Sequence, residues 1–89
     1  PRAPTHILVV LPDEERRAEA TATANQLRAN GFNVELFHSD TKIKKQLAYA
    51  EKKNIPFVWF PPFKDGQPHE IKNMTTGEQK PVEEKDWHR

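Results

Sequence analysis

The chain has no cysteine among its 89 residues. That excludes disulfides, thiolate metal sites and a Cys-x-x-Cys redox centre. It suits a reducing compartment, and a cytoplasmic location is the expectation. Glycine occurs only three times, at Gly31, Gly66 and Gly77. No glycine-rich phosphate loop can be assembled from those positions. No apolar run approaches the roughly 18 residues that a membrane-spanning helix needs. The opening Pro1-Arg2-Ala3-Pro4 carries neither a signal-peptide apolar stretch nor an initiator Met, and reads as the cut edge of a longer protein or a processed end. There is no internal repeat.

Net charge is also nearly absent, at +1, but its distribution is uneven. Residues 41–64 hold six lysines (Lys42, Lys44, Lys45, Lys52, Lys53 and Lys64) against Glu51 alone. Residues 1–40 and 65–89 each hold four basic and six acidic side chains. A cationic middle between acidic flanks points to an anionic partner that meets one surface. The plainer reading of such a lysine run is a solvated helix face.

The length suits one small domain with a modest core, here residues 1–89, with 5–82 ordered and 83–89 a loosely ordered tail from which Trp87 is placed to dock on the sheet. Ile7-Leu8-Val9-Val10-Leu11 is an unbroken apolar run, as in a parallel strand covered on both faces. Pro12 ends it. Asp13 is placed to cap a helix with Glu14 and Glu15 in its first turn, running to about Asn30, with Gly31 at the left-handed C-terminal position. Asn33–Phe37 alternates like a half-covered strand. Ser39, Asp40 or Thr41 is placed to cap a second helix that ends at Asn54. On that helix Ile43, Leu47 and Ala50 fall within about 60° of one another, with Lys42, Lys45, Tyr49 and Lys52 opposite. Pro56–Phe60 forms a third apolar strand, stopped by Pro61-Pro62. A weakly alternating segment 68–74, the turn Thr75-Thr76-Gly77 and a return through Val82 make a hairpin, with Pro81 better suited to an edge. The sum is an α/β domain with a five-stranded mixed sheet, three strands parallel and a hairpin antiparallel, in two or three layers. Its ligand-facing loops are then 11–15, 38–42 and 61–67, at the carboxyl ends of the parallel strands.

Little else carries chemistry. His6, His38, His69 and His88 lack metal-ligand spacing, and local hydrogen bonding is the simpler role for each. Glu14 and Glu15 match a helix dipole better than an acid–base pair. The residue closing the third strand is Phe60, not the aspartate of a phosphoacceptor receiver. Lys42, Lys45 and Lys52, with Lys64 nearby, form a possible phosphate footprint. Phe57 and Trp59 read as core. Phe63, between Pro62 and Lys64, is open between packing and stacking an unpaired base.

The string Lys42-Ile43-Lys44-Lys45-Gln46-Leu47-Ala48-Tyr49-Ala50-Glu51-Lys52 resembles the second helix of the anticodon-binding domain of class II aminoacyl-tRNA synthetases, and specifically the C-terminal domain of the histidyl branch, with its Lys-x-Lys-Lys-Gln-x-x-Tyr-Ala pattern. Ile7–Pro12, Gly31-Phe32-Asn33-Val34-Glu35 and Thr76-Gly77-Glu78-Gln79 agree in order and spacing, so the resemblance spans about residues 5–82. The chain differs from the family at Ser39-Asp40-Thr41, where an arginine is common, at Pro61-Pro62-Phe63-Lys64, where a Gly-Glu loop is usual, and in ending with a short tail instead of a helix.

The resemblance implies an anticodon-binding fold that grips the anticodon stem and loop of tRNA. Lys42, Lys45, Lys52 and Lys64 would hold phosphates; Thr41, Phe63, Asn73, Glu78 and Gln79 would read or stack bases. It implies no catalytic residue, metal or cofactor in this segment. ATP, magnesium and the charging of tRNA with histidine would belong to a catalytic domain of a homodimeric parent, the isolated domain being monomeric. The alternative is a regulatory or protein-interaction module on the same fold.

Overall fold

The computed structural model describes residues 4–88. The first three residues, read above as a cut or processed edge, and Arg89 lie outside the described residues. The apolar run at the start is the centre of the molecule. Strand β1 (Ile7–Val9) and the two residues after it are wholly buried. Its side chains alternate between two cores, as a strand covered on both faces requires. Ile7, Val9 and Leu11 pack with Ala20, Ala24 and Leu27 of helix α1 (Arg17–Ala29), and with Trp59 and Ile71. Leu8 and Val10 pack with Ala50, Ile55, Val58 and Phe60, under helix α2 (Ile43–Lys52). The two helices therefore cover opposite faces, and the domain has three layers.

Strands β2 (Val34–Leu36) and β3 (Phe57–Phe60) pair parallel to β1 on either side, in the register Ile7↔Val34 and Ile7↔Phe57. Strand β4 (His69–Asn73) runs antiparallel to β3, with Phe60 opposite Glu70. Strand β5 (Gln79–Val82) closes the order β2-β1-β3-β4-β5, so Pro81 lies on an edge strand, where its missing N–H is tolerated. The three parallel strands and antiparallel hairpin expected from the sequence are present.

Several boundaries differ in instructive ways. Asp13 does cap, accepting from the Glu15 amide at 2.9 Å, but what it caps is a 3-10 turn (Glu14–Arg16) that leads into α1. Gly31 (φ 104°) ends α1 in a Schellman arrangement, the Phe32 amide donating to the Leu27 carbonyl at 3.1 Å. Asn54 (φ 58°) does the same for α2, with the Ile55 amide donating to Ala50. The start of α2 departs from expectation. The N-cap is Lys42, and no side chain caps the helix; Ser39, Asp40 and Thr41 do not serve. The reason is that Gln46 reaches back from the first turn and engages the Thr41 carbonyl at 2.8 Å, fixing the entry from inside the helix.

The segment after β5 is held to the domain at Glu84–Trp87. Residues Glu84–Asp86 form a 3-10 turn, and the Asn30 side-chain amide donates to the carbonyls of Glu84 and Trp87 at 2.9 and 2.8 Å. The Trp87 ring stacks on Phe32 at 5.1 Å and meets Phe57 edge-on at 4.9 Å. It covers the part of the β3 face that α1 leaves open. Behind it Trp59 donates to His69 Nδ1 at 3.0 Å, and the other nitrogen of that ring faces Glu84 at 3.5 Å.

Candidate nucleic-acid interface

Gln46 is the residue that seats the lysine helix. Its side chain is fully buried between α2 and the end of β1. Its Oε1 accepts from the Leu11 amide at 2.8 Å, and its Nε2 donates to the Leu11 carbonyl at 2.9 Å as well as to Thr41. The far end of the helix is tied differently. The Tyr49 hydroxyl donates to Glu35 of β2 at 2.7 Å, and Thr5 donates to the other oxygen of that carboxylate at 2.6 Å. Both polar residues of the lysine–glutamine–tyrosine string are thus structural, and they fix the direction in which the lysines point.

All six lysines of residues 41–64 are exposed, and none forms an ion pair among the described residues. At about 100° per residue, Lys44, Lys45 and Lys52 share the outward half of α2. Lys42 precedes the first turn, and Lys53 lies past the last, its Nζ 6.0 Å from the Tyr49 ring centre. The first turn of α2 contains no acid and has no side-chain cap. Free amides, the helix dipole and three lysines therefore add positive potential at one end. Lys44 was not among the expected phosphate contacts, yet it is as exposed as Lys45.

Two arginines of the other helix layer tie the three loops at this end of the sheet together. Arg16 pairs with Glu19 at 2.8 Å and with Asp65 of the β3–β4 loop at 3.0 Å. Arg17 holds Glu14 through two bonds and donates to the His38 carbonyl at 2.8 Å. The hydrogen bond from Arg17 holds the Glu14 carboxyl below its ordinary value, and the bond to Asp65 holds Arg16 above its own.

Beside α2 the sheet face over β4 and β5 is uncovered, and an open groove of about 440 Å³ lies there. Its walls include Ile43 and Leu47 of α2, Phe60 at the end of β3, Phe63 of the following loop, and Glu70 and Gln79 from the hairpin strands. Phe63 is 45% exposed, the large apolar side chain most open to solvent among the described residues. Trp59 is wholly buried and Phe57 is half-buried under Trp87, so both are core.

The sequence-derived residues fall into two groups. Lys42, Thr41, Phe63, Lys64 and Gln79 gather at the carboxyl ends of the parallel strands or line the groove, with Lys45 on the adjoining helix turn. Thr41 is exposed, its carbonyl committed to Gln46. Asn73 and Glu78 lie at the opposite end of the sheet, since Asn73 pairs with Phe57, and Lys52 stands at that end of α2. The Asn73 Oδ1 accepts from the Thr75 and Thr76 amides at 2.9 and 3.2 Å, and its amide donates to the Glu78 carbonyl at 2.8 Å. Asn73 builds the hairpin turn. The sequence marks Gln46 only as part of the resembling string and assigns its side chain no role. Gln46 had a signal: at about 100° per residue it lies beside the apolar arc of α2, about 40° from Ala50.

No group of His, Cys, Asp or Glu that could hold a metal ion is present among the described residues. No helix of the described residues is long and apolar enough to cross a membrane.

Comparison with known proteins gives a consistent result. The family model described as "Anticodon binding domain" matches residues 6–88. The histidine–tRNA ligase of Thermobifida fusca is 60% identical over 84 residues, covering 94% of this chain and 19% of that protein. The histidine–tRNA ligase of Bifidobacterium animalis subsp. lactis is 41% identical over 88 residues, covering 96% and 19%. The chain thus spans about a fifth of the length of the curated relatives it matches. Among solved structures, the histidyl-tRNA synthetase of Nostoc sp. PCC 7120 superposes with a TM-score of 0.81 at 27% identity, over 90% of this chain and 19% of that one. These matches favour a synthetase domain over a regulatory module that reuses the fold. A three-layer domain with this strand order, this lysine–glutamine–tyrosine helix and these relatives belongs to the anticodon-binding domain family, in its histidyl-tRNA synthetase form.

Proposed function

We propose that this domain grips the anticodon stem and loop of a tRNA with the outward face of α2 and the groove beside it. One observation carries the reading: six exposed lysines without carboxylate partners among the described residues, five of them on or flanking one rigid helix, adjoin an open groove walled by an exposed phenylalanine. Lys42, Lys44, Lys45 and Lys52, with Lys64 across the groove, hold phosphates and set the register of the RNA. Phe63 offers a ring face on which an unpaired base stacks. Gln79 offers polar groups to a base edge, and Thr41 a hydroxyl at the entrance. Asn73 and Glu78 reach RNA only if it extends along the hairpin to the far end of α2.

The parent protein on this reading is a homodimeric cytoplasmic histidine–tRNA ligase. Its remaining domains bind ATP and magnesium, activate histidine and transfer it to tRNA. This segment contributes recognition and no catalytic step. Titrating the 89-residue chain with an anticodon stem-loop at two salt concentrations tests the proposal. Binding that weakens steeply with salt and prefers the stem-loop over a scrambled hairpin supports it. Equal affinity for both hairpins removes the specificity, and absence of binding at low salt removes the function.

A further inference from the structure

We infer that Asn30 is a latent deamidation site, held closed by the end of the chain, and that its conversion to aspartate releases that end irreversibly.

Asn30-Gly31 is the one Asn-Gly pair in the sequence; Asn25, Asn33, Asn54 and Asn73 precede Gln, Val, Ile and Met. Glycine has no Cβ, so its backbone nitrogen approaches the preceding side chain unobstructed. The Gly31 nitrogen attacks Asn30 Cγ and gives its proton to solvent. A new C–N bond closes a five-membered imide, and the side-chain nitrogen leaves as ammonia. Water then opens the imide at either carbonyl, yielding aspartate or isoaspartate. The only co-reactant is water.

The fold occupies every group that this reaction needs. Asn30 Nδ2 donates to the carbonyls of Glu84 and Trp87 at 2.9 and 2.8 Å, and Oδ1 accepts from Gln26 Nε2 at 2.9 Å. The nucleophile is engaged too, the Gly31 amide donating to the Arg28 carbonyl at 3.0 Å. Ring closure requires the Gly31 nitrogen to eclipse Asn30 Cβ. At the Asn30 ψ of 0° it eclipses the Asn30 nitrogen instead. Two of the three bonds on the amide come from the segment that Trp87 anchors against Phe32 and Phe57. When that segment lifts, the amide keeps Gln26 alone, and the last turn of α1 is left to fray.

The product cannot remake the contact. An ionised carboxylate accepts and has no N–H to give. An aspartate here sets its negative charge against the two carbonyl oxygens that the amide had satisfied. Isoaspartate also adds a backbone carbon where Phe32 must reach the Leu27 carbonyl. The reaction therefore keeps the end of the chain open and uncovers the ring faces of Phe57 and Trp59 that Trp87 meets.

The test ages the full 89-residue chain in mildly alkaline buffer and follows each asparagine by peptide mass. In guanidinium, Asn30 should convert before the other asparagines. In the folded chain it should convert at least about tenfold more slowly, the protection given by an opening populated below a tenth. That slow rate should stay nearly flat in denaturant below the unfolding transition, since lifting a short segment exposes little surface. Asn30→Asp should let trypsin cut after Lys85 at least about tenfold faster than in the parent, with the β1 amides still protected from exchange. Asn30→Ala removes both donors without adding charge, and gives the same readout at smaller amplitude should the charged variant fail to fold. Equal conversion rates in folded and unfolded chains overturn the inference, as does an unfolded chain in which Asn30 converts no sooner than the rest. A folded-state rate that climbs with denaturant as steeply as global unfolding shows that the whole fold guards the site, and overturns it as well. So does cleavage after Lys85 that neither variant changes.

Discussion

The side chain of Gln46 faces the backbone of Leu11 as a neighbouring strand would, its Oε1 taking the Leu11 amide at 2.8 Å and its Nε2 giving to the Leu11 carbonyl at 2.9 Å. Strand β1 ends at Val9, but its buried continuation still has backbone groups to satisfy. One glutamine meets both, and a further bond to Thr41 ties the loop before α2 to the same point. The helix that displays the lysines is thereby locked to the centre of the sheet.

Gln46→Leu should be strongly destabilising. It keeps the volume roughly constant but orphans a buried amide and two carbonyls. The expected loss is about 2–4 kcal/mol in urea unfolding. A loss below about 0.5 kcal/mol, typical of surface changes, would show that water or a rearranged loop satisfies Leu11 as well as Gln46 does.

Replacing Lys45 and Lys52 with Ala should leave stability within about 0.5 kcal/mol, because both are exposed and unpaired among the described residues. RNA affinity should fall by a similar factor for every hairpin sequence. The slope of log affinity against log salt should shrink by about 1 for each lysine that contacts phosphate. An unchanged slope would place these lysines away from the RNA.

Trp87→Ala should cost roughly 2–4 kcal/mol, since the ring packs on Phe32, Phe57 and Trp59. Removing residues 83–89 should cost at least as much, because the Asn30 bonds to Glu84 and Trp87 go too. Hydrogen exchange at β3 and β4 should rise in parallel. Native stability in the shortened chain would show that the end of the chain merely rests on the sheet.

Acid should loosen the start of α1. Glu14 has a folded-state pKa below its ordinary value of 4.5, first through the hydrogen bond from Arg17. A depressed carboxyl contributes stability that is fully present above the ordinary value and is lost as pH falls through the lower folded value. Carboxyl-detected NMR titration should therefore place the Glu14 midpoint below 4.5, and Arg17→Leu should move it upward. The contribution to overall stability is small because the pair is exposed. An Arg17→Leu titration curve that overlays the parent's would sink the assignment.

The fold was largely legible because its strongest signals are local. The unbroken run 7–11 suits a strand covered on both faces, and the structure buries each of its residues. Gly31 and Asn54 mark helix ends because a left-handed residue is needed there. Pro81 indicated an edge strand. The site was less legible. Phe63 and Gln79 were recognised but could not be brought together, since the groove they share is closed by side chains of α2, β3 and β4 that lie far apart in sequence. Asn73 carries no local sign that its side chain holds the hairpin turn.

The segregation of charge and the order of strands and helices are written in residue identity and spacing, because periodicity and turn chemistry act over a few residues. Tertiary structure decided which loops share an end of the sheet, that Gln46 is a backbone partner and not a surface residue, and that Glu70 and Gln79 line one groove with Phe63. Those facts depend on contacts across 9 to 49 positions of chain, and no local pattern encodes them.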